Sequence, residues 1–209
     1  MTIDSRTAMW NVPSASADAV TPQKTSDAAL KAERPSSGVI WLTGLSGAGK
    51  STISGLVDAQ LRAVRYRTFI IDGDTLRTGL NSDLGFSAQD RKESVRRAAH
   101  AAALLADAGL LVLVALIAPF ASDRTRAREI IGPRYHEVFV NAGIDACCER
   151  DPKGLYRRAF NGEIADFTGV SSPYESPESP DLMLDSCNLP ASECVTLLTR
   201  YITERFAPG

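Results

Sequence analysis

Residues 44–52 read GLSGAGKST, and the reading of this stretch decides the fold. The pattern is G-x-x-x-x-G-K-[ST], and its surroundings matter as much as its letters. It follows the apolar run GVIWLTG, which reads as a strand, and it opens a helical stretch from Ser51 to about Val64. Gly44, Gly47 and Gly49 allow the loop to wrap phosphate oxygens, and Leu45, Ser46 and Ala48 add further backbone N–H groups. The helix start contributes its positive end. Lys50 is the residue to reach the β- and γ-phosphates, Ser51 is the candidate Mg²⁺ ligand, and Thr52 completes the motif. A chance glycine turn would not need the strand before and the helix after. The chain reads as a nucleoside triphosphate binder.

Working outward, RTFIID is a second strand, and it ends in Asp72 and Asp74 around a glycine. Many chains with this loop carry an aspartate after a later apolar strand. Here that strand, LLVLVALIAP, has no acid and is apolar on both faces, as a strand covered on both sides should be. Ends of neighbouring parallel strands line one crevice, so Asp72 is expected near the γ-phosphate, as a proton acceptor or around Mg²⁺. A plain D-G turn is the alternative. Between these strands, Ser87 and Asp90 form an S-x-x-D capping box, and Gly109 ends the helix they open. Beyond lie a helix around Asp123 to Ile131, a strand at HEVFV, a basic helix from Asp151 to Phe160, and an amphipathic helix from Leu197 to Phe206. Residues 161–181, with Pro173, Pro177 and Pro180, show no period and read as a functional loop.

Strands alternating with helices imply an α/β fold: a parallel sheet of the P-loop NTPase type with helices on both faces, plus a lid helix and loop. Residues 1–37, rich in Ala, Ser, Thr, Asp and Pro, read as a largely irregular leader with Trp10 as an anchor point. Residues 38–209 form the domain.

A net charge of −2 argues against general nucleic-acid binding. Basic residues are concentrated locally instead, at Arg77, Arg91, Arg96 and Arg97 and again at Arg150, Lys153, Arg157 and Arg158. They suit a small anion, with solvated helix faces as the alternative. Cys147, Cys148, Cys187 and Cys194 have neither C-x-x-C spacing nor paired histidines, so zinc is not expected and a reduced, cytoplasmic chain is. Cys147 and Cys148 read as the small apolar end of a strand. The first residues lack a signal peptide, and the run Leu110 to Ala118 is too short to span a bilayer.

Four segments carry a resemblance: GLSGAGKST, DGDTLRTGLNSDLGFSAQDRKESVRR, RDPKGLYRRA and FTGVSSPYESPESP. Their order and spacing resemble the adenylylsulfate kinases, which transfer the γ-phosphate of ATP to the 3′-hydroxyl of adenosine 5′-phosphosulfate (APS), giving PAPS. The resemblance spans about residues 38–205, and the segment AMWNVP is similar to an N-terminal tryptophan segment of that family. It implies that Asp72 is the base on the 3′-hydroxyl, with Asp74 beside it. Arg77 and Arg91 would bind the phosphosulfate end, and Phe86 and Phe167 would sandwich the APS adenine. Ser94, Ile117, Leu155 and Thr168 would line the same site. Lys153, in the lid, would contact APS, while Arg150 and the turn near Cys194 would meet ATP. The same resemblance implies Mg²⁺ with ATP, a homodimer, and an ATP sulfurylase as a candidate associate.

Three positions depart from the family pattern: Ser94 for asparagine, Ala118 for the serine of I-S-P, and Cys148 for glutamate. The rival readings are another small-molecule kinase on this fold, for a sugar acid or a nucleoside monophosphate, and a nucleotide-dependent switch. The N-K-x-D motif of guanine-reading switches is absent from the sequence.

Overall fold

The computed structural model describes residues 34–209. Its strands are β1 (Gly38–Thr43), β2 (Thr68–Asp72), β3 (Leu111–Ala115), β4 (Tyr135–Asn141) and β5 (Leu182–Asp185). They form one sheet in the order β2-β3-β1-β4-β5, every pairing parallel. The helices are α1 (Lys50–Ala63), α2 (Gly73–Arg77), α3 (Ala88–Asp107), α4 (Ala121–Ile131), α5 (Ile144–Arg150), α6 (Leu155–Phe160) and α7 (Ala191–Arg205).

The central strand shows why two helical layers are needed. All six residues of β1 are buried, and successive side chains point to opposite faces. Ile40 and Leu42 join one core with Val57, Leu61, Leu198 and Ile202 of α1 and α7. Val39 and Trp41 join the other with Val95, Ala99, Ala127 and Ile131 of α3 and α4. Each fully buried aliphatic side chain of this kind contributes about 1.5–3 kcal/mol. Truncating Leu42 to alanine would cost about 2–5 kcal/mol, because the packed layers cannot collapse onto the cavity.

Several sequence expectations hold in detail. The side chain of Ser87 caps α3, accepting from the N–H of Asp90 at 3.1 Å, and Gly109 follows the helix with φ +84°. The apolar strand is an interior one, β3, paired with β1 and β2.

Others need correction. Cys147 and Cys148 do not end a strand: β4 stops at Asn141, Gly143 turns the chain with φ +66°, and both cysteines lie in α5. The basic helix begins only at Leu155, because Asp151 to Gly154 form a turn whose Gly154 has φ +65°. Asp151 then accepts from the N–H groups of Tyr156 and Arg157, both at 3.1 Å, in the manner of a cap. The last helix starts at Ala191, six residues earlier than its apolar period suggests, and β5 had no counterpart in the sequence reading. Trp10 and most of the expected leader lie outside the described residues.

Candidate active site

β1 feeds the loop that α1 then closes. Gly44 (φ +151°) could not carry a side chain, since an added Cβ would sit 2.4 Å from the Val140 carbonyl oxygen. Gly47 (φ +77°) is pressed in the same way by α5, with the Cys147 carbonyl oxygen 3.2 Å from its would-be Cβ. Gly49 caps α1 in the left-handed conformation, and among the described residues no side chain caps the start of that helix. Those donors stay aimed at an anion.

Lys50 folds over this loop, its Nζ donating to the carbonyls of Gly44 (2.8 Å) and Leu45 (2.7 Å). Burial pulls its pKa down to about 8, with Cys147 and Asp72 acting in the opposite direction. A buried ammonium with only carbonyl partners is poised for phosphate oxygens.

Asp72 ends β2, separated from β1 by β3, yet the C-terminal ends of all three strands share one edge of the sheet. Its Oδ1 accepts from the N–H of Asp74 at 2.9 Å, capping α2, and its Oδ2 accepts from the Ser51 hydroxyl at 2.6 Å. In place of the D-G turn given as the alternative, a short helix with Asp72 as its cap follows β2, and the structure joins that cap to Ser51 beside the phosphate loop. A hydroxyl and a carboxylate side by side are the hard oxygen donors that suit Mg²⁺, which keeps waters and takes its remaining ligands from phosphates. Among the described residues no cluster of three His, Cys, Asp or Glu forms a separate metal site.

Further along the cavity, two arginines share a corner. The Arg77 guanidinium lies 4.0 Å from the ring centroid of Phe86, and that of Arg91 lies 5.7 Å from it. Arg77 donates to the Gly85 carbonyl (3.0 Å), and Arg91 to those of Phe86 (2.9 Å) and Asp166 (2.8 Å). Burial lowers both guanidinium pKa values, and at Arg91 the neighbouring Arg77 adds to the effect. Among the described residues no carboxylate bonds either head group. Two positive charges bonded to neutral carbonyls are an arrangement that suits an anion. Ser94 lies beside them, its hydroxyl accepting from Asn81 at 2.8 Å.

The lid crosses above. Lys153 ion-pairs with Asp74, Arg150 donates to the Ser186 carbonyl at 2.5 Å, and the Tyr156 hydroxyl donates to the Ser46 carbonyl at 3.0 Å. One continuous cavity of about 1130 Å³ takes in the loop from Ser46 to Thr52, Asp72, Asp74, Arg77, Phe86, Arg91 and Ser94. It also takes in Ile117, Arg150, Lys153, Leu155, Phe167 and Thr168. That exceeds the roughly 300–1,000 Å³ of a site for one small ligand.

Residues 36–185 match the family model described as adenylylsulphate kinase. The chain belongs to the adenylylsulfate kinase family. It is 45% identical over 166 residues to the adenylyl-sulfate kinase of Clostridium acetobutylicum, covering 79% of this chain and 83% of that one. It is 50% identical over 177 residues to the bifunctional enzyme NodQ of Rhizobium sp. (strain N33), covering 84% of this chain but only 27% of that relative's length. Among solved structures, that of the Mycobacterium tuberculosis APS kinase CysC in complex with AMPPNP and APS matches with a TM-score of 0.76. The identity is 44%, over 80% of this chain and 97% of the other.

Three expected nucleotide-site residues of this kinase-family chain do not line the cavity. Gly44 serves through its carbonyl and its lack of a side chain. Leu45 lines a separate recess of about 610 Å³ with Gly169 and Tyr174. Cys194 is fully buried in α7, facing the core, and the preceding Leu189, Pro190 and Ala191 form the wall instead. Phe167 is also more of a core residue than expected. It is 7% exposed and meets Tyr156 edge-on at 5.0 Å, whereas Phe86 is 52% exposed. Ser186 escaped the sequence reading. Its hydroxyl donates to the Ala48 carbonyl at 2.9 Å, tying β5 to the phosphate loop. The sequence carries no signal for it, since the four-residue edge strand before it shows no period.

Proposed function

We propose that this protein transfers the γ-phosphate of ATP to the 3′-hydroxyl of APS, releasing PAPS and ADP. The observation that carries the reading is a single cavity with the phosphate loop at one end and the two-arginine corner with Phe86 at the other. Asp72 lies between them, bonded to Ser51.

ATP lies with its phosphates on the N–H groups of residues 46–52, and Lys50 gives up its two carbonyl contacts to neutralise charge that grows on the β- and γ-oxygens. Ser51 would hold Mg²⁺, which when bound would draw charge from the phosphate oxygens, and Asp72 stays free to act on the acceptor. APS stacks its adenine between Phe86 and Phe167 and sets its phosphosulfate on Arg77 and Arg91. Its 3′-oxygen attacks the γ-phosphorus in line, the bond to the β–γ bridging oxygen breaks, and ADP leaves. The 3′-hydroxyl proton passes to Asp72. Oδ1 is held by backbone, so Oδ2, whose partner is a rotatable hydroxyl, is the oxygen that exchanges partners to take it. Ala118 has no hydroxyl to be phosphorylated, which fits direct transfer within one ternary complex.

Lys153 swings between Asp74 and the acceptor as the lid closes. The free cysteines suit a reducing, cytoplasmic setting, and no described helix is long and apolar enough to cross a membrane. A homodimer, tested by sedimentation of the full chain, completes the reading. The direct test of activity is ADP release with ATP alone and with ATP plus APS. ADP that appears only with APS, together with PAPS, supports the reading; equal release with a sugar acid or a nucleoside monophosphate overturns it.

A further inference from the structure

The two walls of the acceptor half come from segments far apart in sequence, and one buried side chain joins them. After β3 the chain turns through Ile117, Ala118 and Pro119, all of which line the cavity. Ala118 takes φ +42°, a left-handed conformation that a non-glycine residue keeps only when its surroundings hold it. The opposite wall, Phe167 and Thr168, leads within a few residues to Tyr174 and Glu175.

Arg124, 4% exposed in the first turn of α4, reaches both. Its Nη1 donates to the Ala118 carbonyl at 2.8 Å and its Nη2 to the Glu175 carbonyl at 2.7 Å. Its Nε lies 3.0 Å from Glu137 Oε1, a charge contact without the alignment of a hydrogen bond. Around this fork the same two segments are laced again. The Glu175 N–H donates to the Pro119 carbonyl at 2.8 Å, and the Glu175 carboxylate accepts from the Ala121 N–H at 2.6 Å. Thr43 donates to the Ile117 carbonyl at 2.6 Å and shares a 3.0 Å bond with the Tyr174 hydroxyl. The guanidinium lines no part of the cavity itself.

We infer that Arg124 is a positioning residue for the acceptor nucleotide, setting the separation of the Ile117–Pro119 turn from the Phe167 wall. The inference rests on the acceptor reading given above. A planar fork can hold two carbonyls at once and keep its charge opposite Glu137; an ammonium can keep the charge but not both bonds. The effect should therefore fall on the acceptor and spare ATP, whose phosphates lie on the other side of β1.

The test is steady-state kinetics and calorimetry on the full chain. Arg124→Lys should raise the KM for APS about tenfold, as expected for losing bonds worth about 1.4 kcal/mol, with the KM for ATP within about twofold. Tyr174→Phe keeps the ring and removes only the hydroxyl bonded to Thr43, so it folds even if the lysine variant does not. It should raise the APS KM about threefold, again sparing ATP. Arg124→Ala should be worse than Arg124→Lys for both stability and APS, since it takes from the buried Glu137 the nearer of its two guanidinium partners. Equal rises in both KM values, or no rise for APS in either conservative variant, would overturn the inference. Wild-type protein that binds ATP but not APS overturns the acceptor reading itself, and the inference with it, and that outcome is visible before any variant is made.

Discussion

In the phosphate loop the groups offered to a ligand are backbone N–H donors and one lysine from a single uninterrupted stretch, residues 44–52. In the acceptor half they are side chains drawn from α2, the turn before α3, α3 itself, the lid and the loop after α6: Arg77, Phe86, Arg91, Lys153 and Phe167. The loop is held by contacts that cannot move far, such as the Val140 carbonyl against Gly44 and the Cys147 carbonyl against Gly47. The acceptor half is held by contacts that a ligand can exchange. Arg77 lies on Phe86, Arg91 on two carbonyls, and Lys153 on an exposed Asp74. On the proposed reading, one half is preformed and the other would trade internal partners for substrate. Substitutions should therefore separate cleanly, with loop changes felt through ATP and acceptor changes through APS.

The largest effect is expected at the junction. Asp72→Asn keeps the shape and the cap on α2 but removes the proposed proton acceptor, so kcat should fall about 10²–10⁴-fold with modest changes in both KM values. A loss under about tenfold would leave Asp72 as a residue that only orients Ser51 or the metal, and the junction would belong to the loop alone.

Lys50→Ala should come next, costing on the order of 10²–10³ in turnover, as for removal of one donor that meets developing charge. Near-normal rates at saturating ATP would break the assignment of the loop.

In the acceptor half, Phe86→Ala should weaken APS binding by roughly five- to a hundredfold, the range for losing one aromatic partner of a base, and leave ATP binding unchanged by calorimetry. Phe86 is the clean probe because it is half exposed. Phe167→Ala should show the same loss of APS binding together with a lowered Tm, since truncating a buried phenylalanine costs about 3–5 kcal/mol. Equal weakening of ATP and APS in Phe86→Ala would end the division between the two halves.

Titration sharpens the contrast from the other side. Lys50 titrates near 8 in the folded chain and near 10.5 in an unfolded one. Above about pH 8 the unfolded chain binds the extra proton, so stability rises with pH between about 8 and 10.5, and below 8 the full cost of burying the charge is present. Phosphates favour the protonated form, so ATP binding at pH 8 should take up a fraction of a proton, and its affinity should decline at higher pH. Calorimetry in buffers of different ionisation enthalpy measures the uptake, and Lys50→Ala should abolish it.

The smallest effect belongs to the lid. The Lys153–Asp74 pair is largely exposed, with side-chain accessibilities of 56% and 70%, so Lys153→Ala should change stability by less than about 1 kcal/mol. It should still raise the APS KM several-fold, with the difference from wild type shrinking as salt rises. A large drop in Tm would show that the pair supports the fold rather than the closing lid.

Some of this is legible in the sequence alone. The glycine spacing, the Ser87 cap and the alternation of apolar runs are local signals, because phosphate wrapping, helix starts and buried parallel strands each depend on a few consecutive residues. β5 was not legible: it is a four-residue edge strand with only Leu184 fully buried, too short and too mixed to show a period. Cys147 and Cys148 misled because two small apolar residues after a strand look like its continuation, whereas Gly143 had already turned the chain into α5.

The sequence by itself determined the sheet-and-helix alternation, the phosphate loop and the acid-tipped second strand, because each is written in neighbouring residues. Only the tertiary structure decided which distant groups meet. It joined Asp72 to Ser51 across an intervening strand, buried Phe167 while leaving Phe86 open, and turned Cys194 into the core. It also made Arg124 the tie between the Ala118 turn and the Glu175 loop, which lie far apart in sequence. The reason is physical: side-chain contacts between elements depend on sheet order, helix rotation and the burial of competing partners, and none of these has a period that a single stretch of sequence can carry.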